Sequence, residues 1–369
     1  DSGNQTTRID GQTYRVNSQA GNGQYEVRLN NSKWICSCPD HTYRNAKCKH
    51  IHAVKFSLEV RRAVEVTKIE PIINITNCKF CGSPRIIKDG IRRNKHGNIQ
   101  RFNCQDCGRY FTVNIGFERM KHNPQGITAA MQLYFSGASL RNTARTLELL
   151  GMRVSHQTIH NWIEKYTSLM EAYVAKLKPQ VSDTWRADEV YLKVRGDIKY
   201  LFALLDDETR FWIAQEVADT KFMHDARNLF HQGKVATGKK PMTLITDGLP
   251  AYHGAYMKEF YTVRKETRTE HIRHITLKGD RNNNKMERFN GEIRDREKVM
   301  RGLKKTDTPI VPGYQIYHNY IRPHGSLKGK TPAEACGILV GGQNKWLTLI
   351  QNASHPAKMS GSPNESTGS

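Results

Sequence analysis

An α/β fold is what this sequence predicts: a mixed sheet covered by helices and preceded by small cysteine-bearing modules. Three observations carry the prediction. From Trp185 onward, three successive strand-like runs give way to alternating helical and strand-like stretches, the order of a layered α/β domain. Seven of the eight cysteines fall in two tight clusters, with Cys336 alone. Between clusters and strands, residues 126–170 place apolar side chains at helical spacing. With 369 residues the chain has length for two or three domains and a sizeable core in the largest. A net charge of +22 implies a polyanionic partner, nucleic acid first and an anionic membrane surface second. No apolar run approaches the roughly 20 residues of a spanning helix and none resembles a signal peptide, so no membrane partner is expected. The chain opens on Asp1 rather than Met, which leaves open where the natural protein starts.

Residues 1–60 are the first expected module. Residues 12–36 alternate as short strands (TYRVN, QYEVRL, KWIC) with Gly/Asn turns between them. Cys36-Ser-Cys38 follows, then nine residues, then Cys48-Lys-His50 and the helix-like IHAVKFSLEVRRAVE. Three thiolates and one imidazole complete a tetrahedral structural zinc shell with no open position for chemistry; His52 is the rival ligand to His50. A secreted disulfide scaffold would be smaller and would scatter its cysteines differently. The pattern CxC…CxH after a Trp-containing strand, over residues 13–58, resembles the SWIM zinc finger, a module that binds DNA or protein partners.

A second module is expected over residues 74–118. Cys78-x-x-Cys81 and Cys104-x-x-Cys107, with 22 residues between the pairs, have the spacing of a four-cysteine zinc ribbon. Gly82 and Gly108 directly follow the second Cys of each pair, where a knuckle needs φ > 0. Arg92, Arg93, Lys95 and Arg101 surround a Lys95-His96-Gly97-Asn98 turn, a hairpin suited to lie along a phosphate backbone. A purely structural staple with a solvated basic face is the alternative.

Over residues 124–178 the pattern is helical. Ser139 is placed to cap SLRNTARTLELL, Gly151 to stop it, and Ser155 to cap SHQTIHNWIEKYTSLM. Leu140, Ala144 and Leu147 of the first helix can pack on Ile159, Trp162 and Ile163 of the second. This is the layout of a helix-turn-helix, whose second helix enters the major groove. Gln157, Thr158, His160, Asn161 and Lys165 are then the candidates for base or phosphate contact. An ordinary helical hairpin has the same pattern.

The catalytic argument lies in residues 182–340. WRADEVYLKV, KYLFALLDD and FWIAQEVA read as three strands turning at Arg195-Gly196-Asp197 and Asp207-Glu208-Thr209. A helix, a buried strand (MTLIT), a helix and a strand (HIRHITL) come next. Asp188 falls mid-strand in the first and Asp247 ends the fourth, so both are expected on neighbouring strands. A carboxylate inside a core strand is costly unless paired or metal-bound. Glu287 lies in a helical run, with Arg294 seven residues on and on the same face. Between Lys278 and Lys305 ten Lys/Arg stand against five Asp/Glu, a setting that suits a metal site receiving a polyanion. Three converging carboxylates would hold two Mg2+ ions for in-line phosphoryl transfer, and no nucleophile motif is present or needed.

WRADEVYLKVRG, LITDGLPAY, NNxxERFNGEIRDREKVMRGLK and HNYIRPHGSLKGKTPAEA together resemble the DDE transposases of prokaryotic insertion sequences, over about residues 74–338. The resemblance implies a ribonuclease H-like mixed sheet with flanking helices, an integrase catalytic core. It implies a triad of Asp188, Asp247 and Glu287, with gaps of 58 and 39 residues, binding two Mg2+ (or Mn2+) ions beside the two structural Zn2+ ions. Arg294 matches the basic residue expected seven after the Glu, contacting phosphate near the scissile bond, and Lys298 follows it. The implied partners are double-stranded DNA, as terminal inverted repeats and target, and further copies of the chain. The implied location is the nucleoid of a prokaryotic cytoplasm. The SWIM-like module is a departure from the family's pattern and does not bear on the triad.

Competing carboxylates are set aside for stated reasons. Glu292, Asp295 and Glu297 share the Glu287 helix but lack the NNxxER context. Glu189 is expected on the opposite sheet face from Asp188. Asp206 and Asp207 belong to a turn, and Asp280 is a capping residue. His318-Asn319-Tyr320-Ile321-Arg322-Pro323-His324 is a packing and turn feature whose Arg and His are also within the reach of DNA. Thr331 with Pro332 starts a last helix, Cys336 is a small buried apolar residue, and residues 353–369 are expected to be disordered. Two other readings stand: a catalytically inactive, host-recruited zinc-dependent DNA-binding regulator, and a structure-selective nuclease on the same core.

Overall fold

The computed structural model describes residues 6–9, 12–17, 23–30, 33–44, 47–55, 66–72, 76–94, 97–112, 115–274, 284–299, 303 and 308–354. Strands β1 (Thr6–Arg8), β2 (Thr13–Asn17), β3 (Gln24–Asn30) and β4 (Lys33–Cys36) form an antiparallel sheet in chain order. Helix α1 (Pro39–Arg44) and helix α2, described over residues 49–55, follow it. Alternation sends Tyr14, Val16 and Val27 inward, where they meet Ile51 and Val54 and the sulfurs of Cys36, Cys38 and Cys48. The remainder of the expected helix, to residue 65, lies outside the described residues.

Strand β5 (Thr67–Ile69) precedes the second cysteine module and pairs in parallel with β14 (Ile338–Val340), a long-range pairing that no local pattern announces. The module itself is the antiparallel sheet β6 (Ile86–Asn94), β7 (Gly97–Cys104), β8 (Tyr110–Thr112). Lys95 and His96 of its expected turn lie outside the described residues.

Three helices come next: α3 (Pro124–Phe135), α4 (Leu140–Leu149) and α5 (His156–Val174). The expected caps are in place. Ser139 Oγ accepts from the Asn142 N–H at 3.2 Å and Ser155 Oγ from the Thr158 N–H at 3.1 Å. Gly151 takes φ of 81°, ending the first of the two capped helices. Leu147, Ile159, Trp162 and Ile163 are buried together, with Leu140 and Ala144 packed against them.

The main sheet runs β11-β10-β9-β12-β13, from β9 (Thr184–Val194), β10 (Asp197–Asp206), β11 (Trp212–Ala218), β12 (Thr243–Asp247) and β13 (Glu270–His274). β9, β10 and β11 are antiparallel neighbours, while β12 lies parallel to both β9 and β13. Arg195 and Gly196, both at positive φ, make the two-residue turn from β9 to β10. This mixed order, with its flanking helices, is the ribonuclease H-like arrangement. Helix α6 (Met223–Thr237) bridges β11 to β12, α7 (Pro250–Glu259) follows β12, and α8 (Asn284–Glu297) packs over β9. Helices α9 (Ile310–Ile316), α10 (Pro332–Ala335) and α11 (Lys345–Ser354) close the chain, the last packing on α3 and α5. One continuous core joins Tyr134, Trp162 and Tyr166 of the α3–α5 group to Trp185, Trp212 and Tyr252 of the sheet region.

Candidate active site and metal centres

The carboxylates stand where the parallel strands part. β9 and β12 are in register at Thr184↔Thr243 and Arg186↔Ile245, and carrying that register two residues on sets Asp188 level with Asp247. β12 ends at Asp247, whose Oδ1 accepts from the Leu249 N–H at 2.9 Å as the chain turns into α7. The paired part of β9 and β12 ends before the two aspartates, which puts them at the carboxyl ends of the parallel strands, the usual position of ligands in such sheets. Sequence reasoning placed both residues on neighbouring strands, and the structure brings them together.

Oxygens of Asp188, Glu189 and Asp247 lie within 4.8 Å of one another. Asp188 accepts from the Glu189 N–H and from Asn290 Nδ2, each at 2.9 Å. Glu189 accepts from Lys221 Nζ and from the Tyr252 hydroxyl, each at 2.9 Å. Burial, with the charges of Glu189 and Asp247 added, pushes the Asp188 carboxyl up to about 7. Burial also raises Asp247, against the pull of the Leu249 N–H. Crowded oxygen donors that resist ionising together suit a hard divalent cation.

Glu189 lies on the opposite sheet face from Asp188, as expected, but setting it aside from the carboxylate group on that ground is corrected, because its oxygens join those of Asp188 and Asp247. Alternation does govern the partners: Asp188 meets α8 through Asn290, and Glu189 meets α7 through Tyr252. The carboxylates nonetheless converge, because among the described residues no strand pairs with β9 on the β12 side beyond Arg186 and the longer Glu189 arm reaches the same oxygens.

Glu287 is exposed in the first turn of α8 and stands outside that carboxylate group. Its helix is nevertheless docked on the site. Met286, Phe289, Asn290 and Ile293 are buried, and Asn290, one turn beyond Glu287 on the same side, touches Asp188. Asn290 is 4 % exposed, and its Oδ1 has no hydrogen-bond partner among the described residues. Lys285 fixes the start of the helix, donating to Asp207 Oδ1 at 2.8 Å and to the Asp207 carbonyl at 3.0 Å. Arg294 shares the exposed side with Glu287, and Lys298 is exposed and paired with Asp295 at 2.7 Å. Asn290, Lys221 and Tyr252 were not singled out in the sequence. For Asn290 the i, i+3 spacing from Glu287 was a usable signal; for Lys221 there was none.

Competing groups have structural work. Asp206 Oδ1 accepts from the Ser182 N–H and hydroxyl and Oδ2 from those of Thr209, which fixes the β10–β11 turn. Asp207 pairs with Arg186 and Lys285. Glu292 holds Arg322 through two hydrogen bonds, at 2.6 and 3.0 Å. His318 is buried against the Arg210 carbonyl, and Asn319 uses both ends of its amide on the Trp212 backbone of edge strand β11. Packing therefore accounts for His318, Asn319 and Arg322. Thr331 caps α10 with Pro332 at its start, but α10 is a single turn and α11, not α10, is the last helix; Cys336 is buried. Residues 353 and 354, expected in the disordered tail, instead end helix α11; Asp280 and residues 355–369 lie outside the described residues.

Both cysteine clusters close as sites. Ligand atoms of Cys36, Cys38, Cys48 and His50 lie within 4.8 Å of one another, and so do those of Cys78, Cys81, Cys104 and Cys107. Cys78 and Cys107 sulfurs are 3.6 Å apart and those of Cys81 and Cys104 3.5 Å. Those separations are too long for a disulfide at about 2.05 Å and near the ~3.8 Å tetrahedral edge that a zinc–sulfur bond of about 2.3 Å makes. His50 Nδ1 sits 3.8 Å from Cys36 Sγ, while His52 is exposed and outside the group. Gly82 and Gly108 take φ of 75° and 66°, as the knuckles require. Burial pushes the Cys36 thiol up to about 12, and the Cys107 N–H brings Cys104 down to about 7. Crowded thiols that cannot share one ordinary pKa fit a cation that takes them all as thiolates.

Of the groups expected to meet nucleic acid, Arg92, Arg93 and Arg101 are exposed on β6 and β7. Gln157, Asn161 and Lys165 are exposed on α5, Gln157 Nε2 donating to Asn161 Oδ1 at 2.9 Å. Thr158 is hydrogen-bonded to Ser155, and His160 faces Glu164 at 3.4 Å. No helix among the described residues is long and apolar enough to cross a membrane.

Comparison with known proteins gives one family match over this region and several relatives. A family described as a DDE domain, of the IS240 type, matches residues 182–324, which contain Asp188, Asp247 and Glu287. An uncharacterized 48.3 kDa protein of insertion element ISM1 from Methanobrevibacter smithii is 28% identical over 192 residues, 47% of this chain and 46% of its own. The transposase of insertion sequence element IS257 in transposon Tn4003, from Staphylococcus aureus, is 27% identical over 146 residues, 38% of this chain and 63% of its own. Protein InsA of insertion element iso-IS1N from Shigella dysenteriae is 34% identical over 89 residues, 24% of this chain and 91% of its own. The chain thus spans about half of the first relative and under two thirds of the second. On the DDE match, the insertion-element relatives and the ribonuclease H-like sheet, the chain belongs to the insertion-sequence transposase family that carries a DDE domain.

Proposed function

We propose that this protein is a DNA transposase in which Asp188, Asp247 and Glu287 bind two Mg2+ or Mn2+ ions and cut and join DNA. The observation that carries the reading is the pair of aspartates level with each other at the parting of β9 and β12, with the Glu287 helix tied to Asp188 through Asn290. The ions, when bound, supply activation of an attacking water or 3′-hydroxyl and stabilisation of the leaving 3′-oxygen. Asp188 and Asp247 hold their oxygens at the ends of the parallel strands, and Glu287 completes the set from the exposed side of α8. Arg294 contacts phosphate beside the scissile bond, with Lys298 behind it. The unit over residues 74–118 and the helices over 124–178 carry the DNA-contacting residues, with Arg92, Arg93 and Arg101 along the backbone and Gln157, Thr158, His160, Asn161 and Lys165 of α5 at base edges or phosphates. Each cysteine cluster holds one Zn2+ that staples its module, the first being SWIM-like in residues 1–60. Further copies of the chain bring two DNA ends together, and the work is done at the nucleoid.

The exposure of Glu287 favours a second reading, a catalytically inactive DNA-binding regulator. Strand joining in vitro separates the two. DNA ends bearing the inverted repeats that flank the gene, with a free 3′-hydroxyl, are offered with a plasmid target in Mg2+, Mn2+ or EDTA. Metal-dependent joining that disappears in Glu287→Gln is the expected result. Sequence-specific end binding with no joining by the full-length protein would give the regulator.

A further inference from the structure

The second cysteine module carries more exposed ring surface than contact with a duplex backbone needs. Over residues 76–112 it has eight Lys/Arg against two Asp, which suits a polyanion of any kind. Tyr110 is 56 % exposed and Phe80 46 %. Each has a guanidinium over its ring: Arg101, which also pairs with Asp89 at 2.7 Å and would exchange that partner for phosphate, lies 5.1 Å from the Tyr110 centroid, and Arg109 5.1 Å from that of Phe80.

Strand pairing gives the arrangement. Ile87 pairs with Asn103, Asn103 with Tyr110, and Arg101 with Thr112, so these residues share one face of the three-stranded sheet. The other face turns Ile86, Phe102, Cys104 and Phe111 toward the sulfur cluster. Phe80 belongs to that second side, its ring edge-on to Phe111 with centroids 6.2 Å apart. β8 is the edge strand. A ring with its cation therefore stands on each side of one sheet edge, Tyr110 with Arg101 on one side and Phe80 with Arg109 on the other.

We infer that this edge is a stacking site for unpaired nucleotides, the single-stranded DNA at a frayed or cleaved end. A duplex backbone is read by cations and polar groups alone, and its base faces are hidden in the stack. On DNA, an exposed aromatic ring stacks where a base face is free, and an adjacent guanidinium can meet that nucleotide's phosphate. Unpaired strand crossing the β8 edge would place its bases on the two rings in turn.

The inference deepens the transposase reading and rests on it for the source of the DNA, but its test reads binding alone. Full-length, zinc-loaded protein is titrated by fluorescence anisotropy with a 12-nucleotide oligo(dT), a blunt duplex, and the same duplex with an unpaired 3′ extension. Tyr110→Ala and Phe80→Ala are each expected to weaken the oligonucleotide and the extended duplex about tenfold. Blunt-duplex affinity should stay within about twofold, and Tyr110→Phe should behave as the parent protein. Zinc content equal to that of the parent shows that the module is folded in each variant. Equal losses on blunt and single-stranded DNA would overturn the inference, and so would no loss on either, which would give the edge to a protein partner. Stacking that persists in a protein unable to join strands would remove the transposase reading and leave this site standing.

Discussion

Four sulfurs at the second cysteine module and three carboxylates at the ends of the parallel strands are both gathered within 4.8 Å, yet the two groups are gathered differently. The sulfurs sit on two knuckles a few residues long, each turned by a left-handed glycine and by backbone N–H groups such as Phe80 N–H to Cys78 Sγ. The carboxylates come from two strands 59 positions apart in register, and Glu287, the third residue of the proposed triad, comes from a helix whose approach lies outside the described residues. One kind of site is closed by local backbone geometry. The other is held part-built by distant elements, with Lys221 and Tyr252 occupying Glu189. A closed shell makes a staple, and an incomplete one leaves room for DNA and for ions that complete it.

The largest expected effect is on the closed side. Removing one ligand with Cys104→Ala should abolish zinc binding at that cluster, a loss on the order of 10 kcal/mol of binding-coupled folding. Zinc content would fall from two ions per chain to one, and hydrogen exchange would show β6–β8 unprotected while the main sheet keeps its protection. Retention of both zinc ions and an ordered module would break the comparison, since the shell would then not be what closes it.

On the open side, a positioning group should matter more than its distance from the DNA suggests. Asn290→Ala removes the donor that holds Asp188 Oδ2, and outer-shell partners of this kind change metal affinity by about 10- to 100-fold. Mn2+ titration followed by electron paramagnetic resonance reads that change without reading catalysis. Asn290→Asp should weaken binding less, because its carboxylate attracts the cation although it can no longer donate to Asp188. An unchanged affinity in the Ala variant would make Asn290 a packing residue only.

How much of this was legible in the sequence follows the same division. Cys78, Cys81, Cys104 and Cys107 announce their site by spacing alone, because the knuckle is a local structure. Ser139, Gly151 and Ser155 announced α4 and α5 for the same reason: caps and stops act within one turn. Asp188 and Asp247 were legible as carboxylates in apolar strands, and the β9–β12 pairing bore out their adjacency. The convergence of Glu189 was not legible, since it depends on where β9 loses its neighbour rather than on alternation. Lys221 and Tyr252 reach the site through tertiary packing, and β5 pairs with β14 across most of the chain, beyond the range of any periodicity.

The smallest effect sharpens the comparison most, because it measures the strain of the part-built site directly. Asp188 ordinarily titrates near 3.8 and is pushed up to about 7 by burial and by the charges of Glu189 and Asp247. Across that window the folded protein holds a proton that the unfolded chain has released. Stability without divalent metal is therefore greatest at the acid end, falls as pH rises through about 7, and stays low above it. Asp188→Asn removes this titration while leaving an oxygen for Asn290 to donate to. In EDTA at a concentration that spares the zinc, the variant should be more stable than the parent by about 2 kcal/mol at pH 8, roughly half the full linkage value because Asp188 and Asp247 are only half-buried. The difference should shrink toward zero near pH 4, and acid release of zinc, common to both proteins, cancels in it. Adding Mg2+ at pH 8 should stabilise the parent more than the variant and so reduce or reverse the gap. A parent protein as stable as Asp188→Asn at pH 8 without metal would mean the carboxylates are solvated and unstrained, and the contrast with the closed cysteine shells would then be one of ligand type alone.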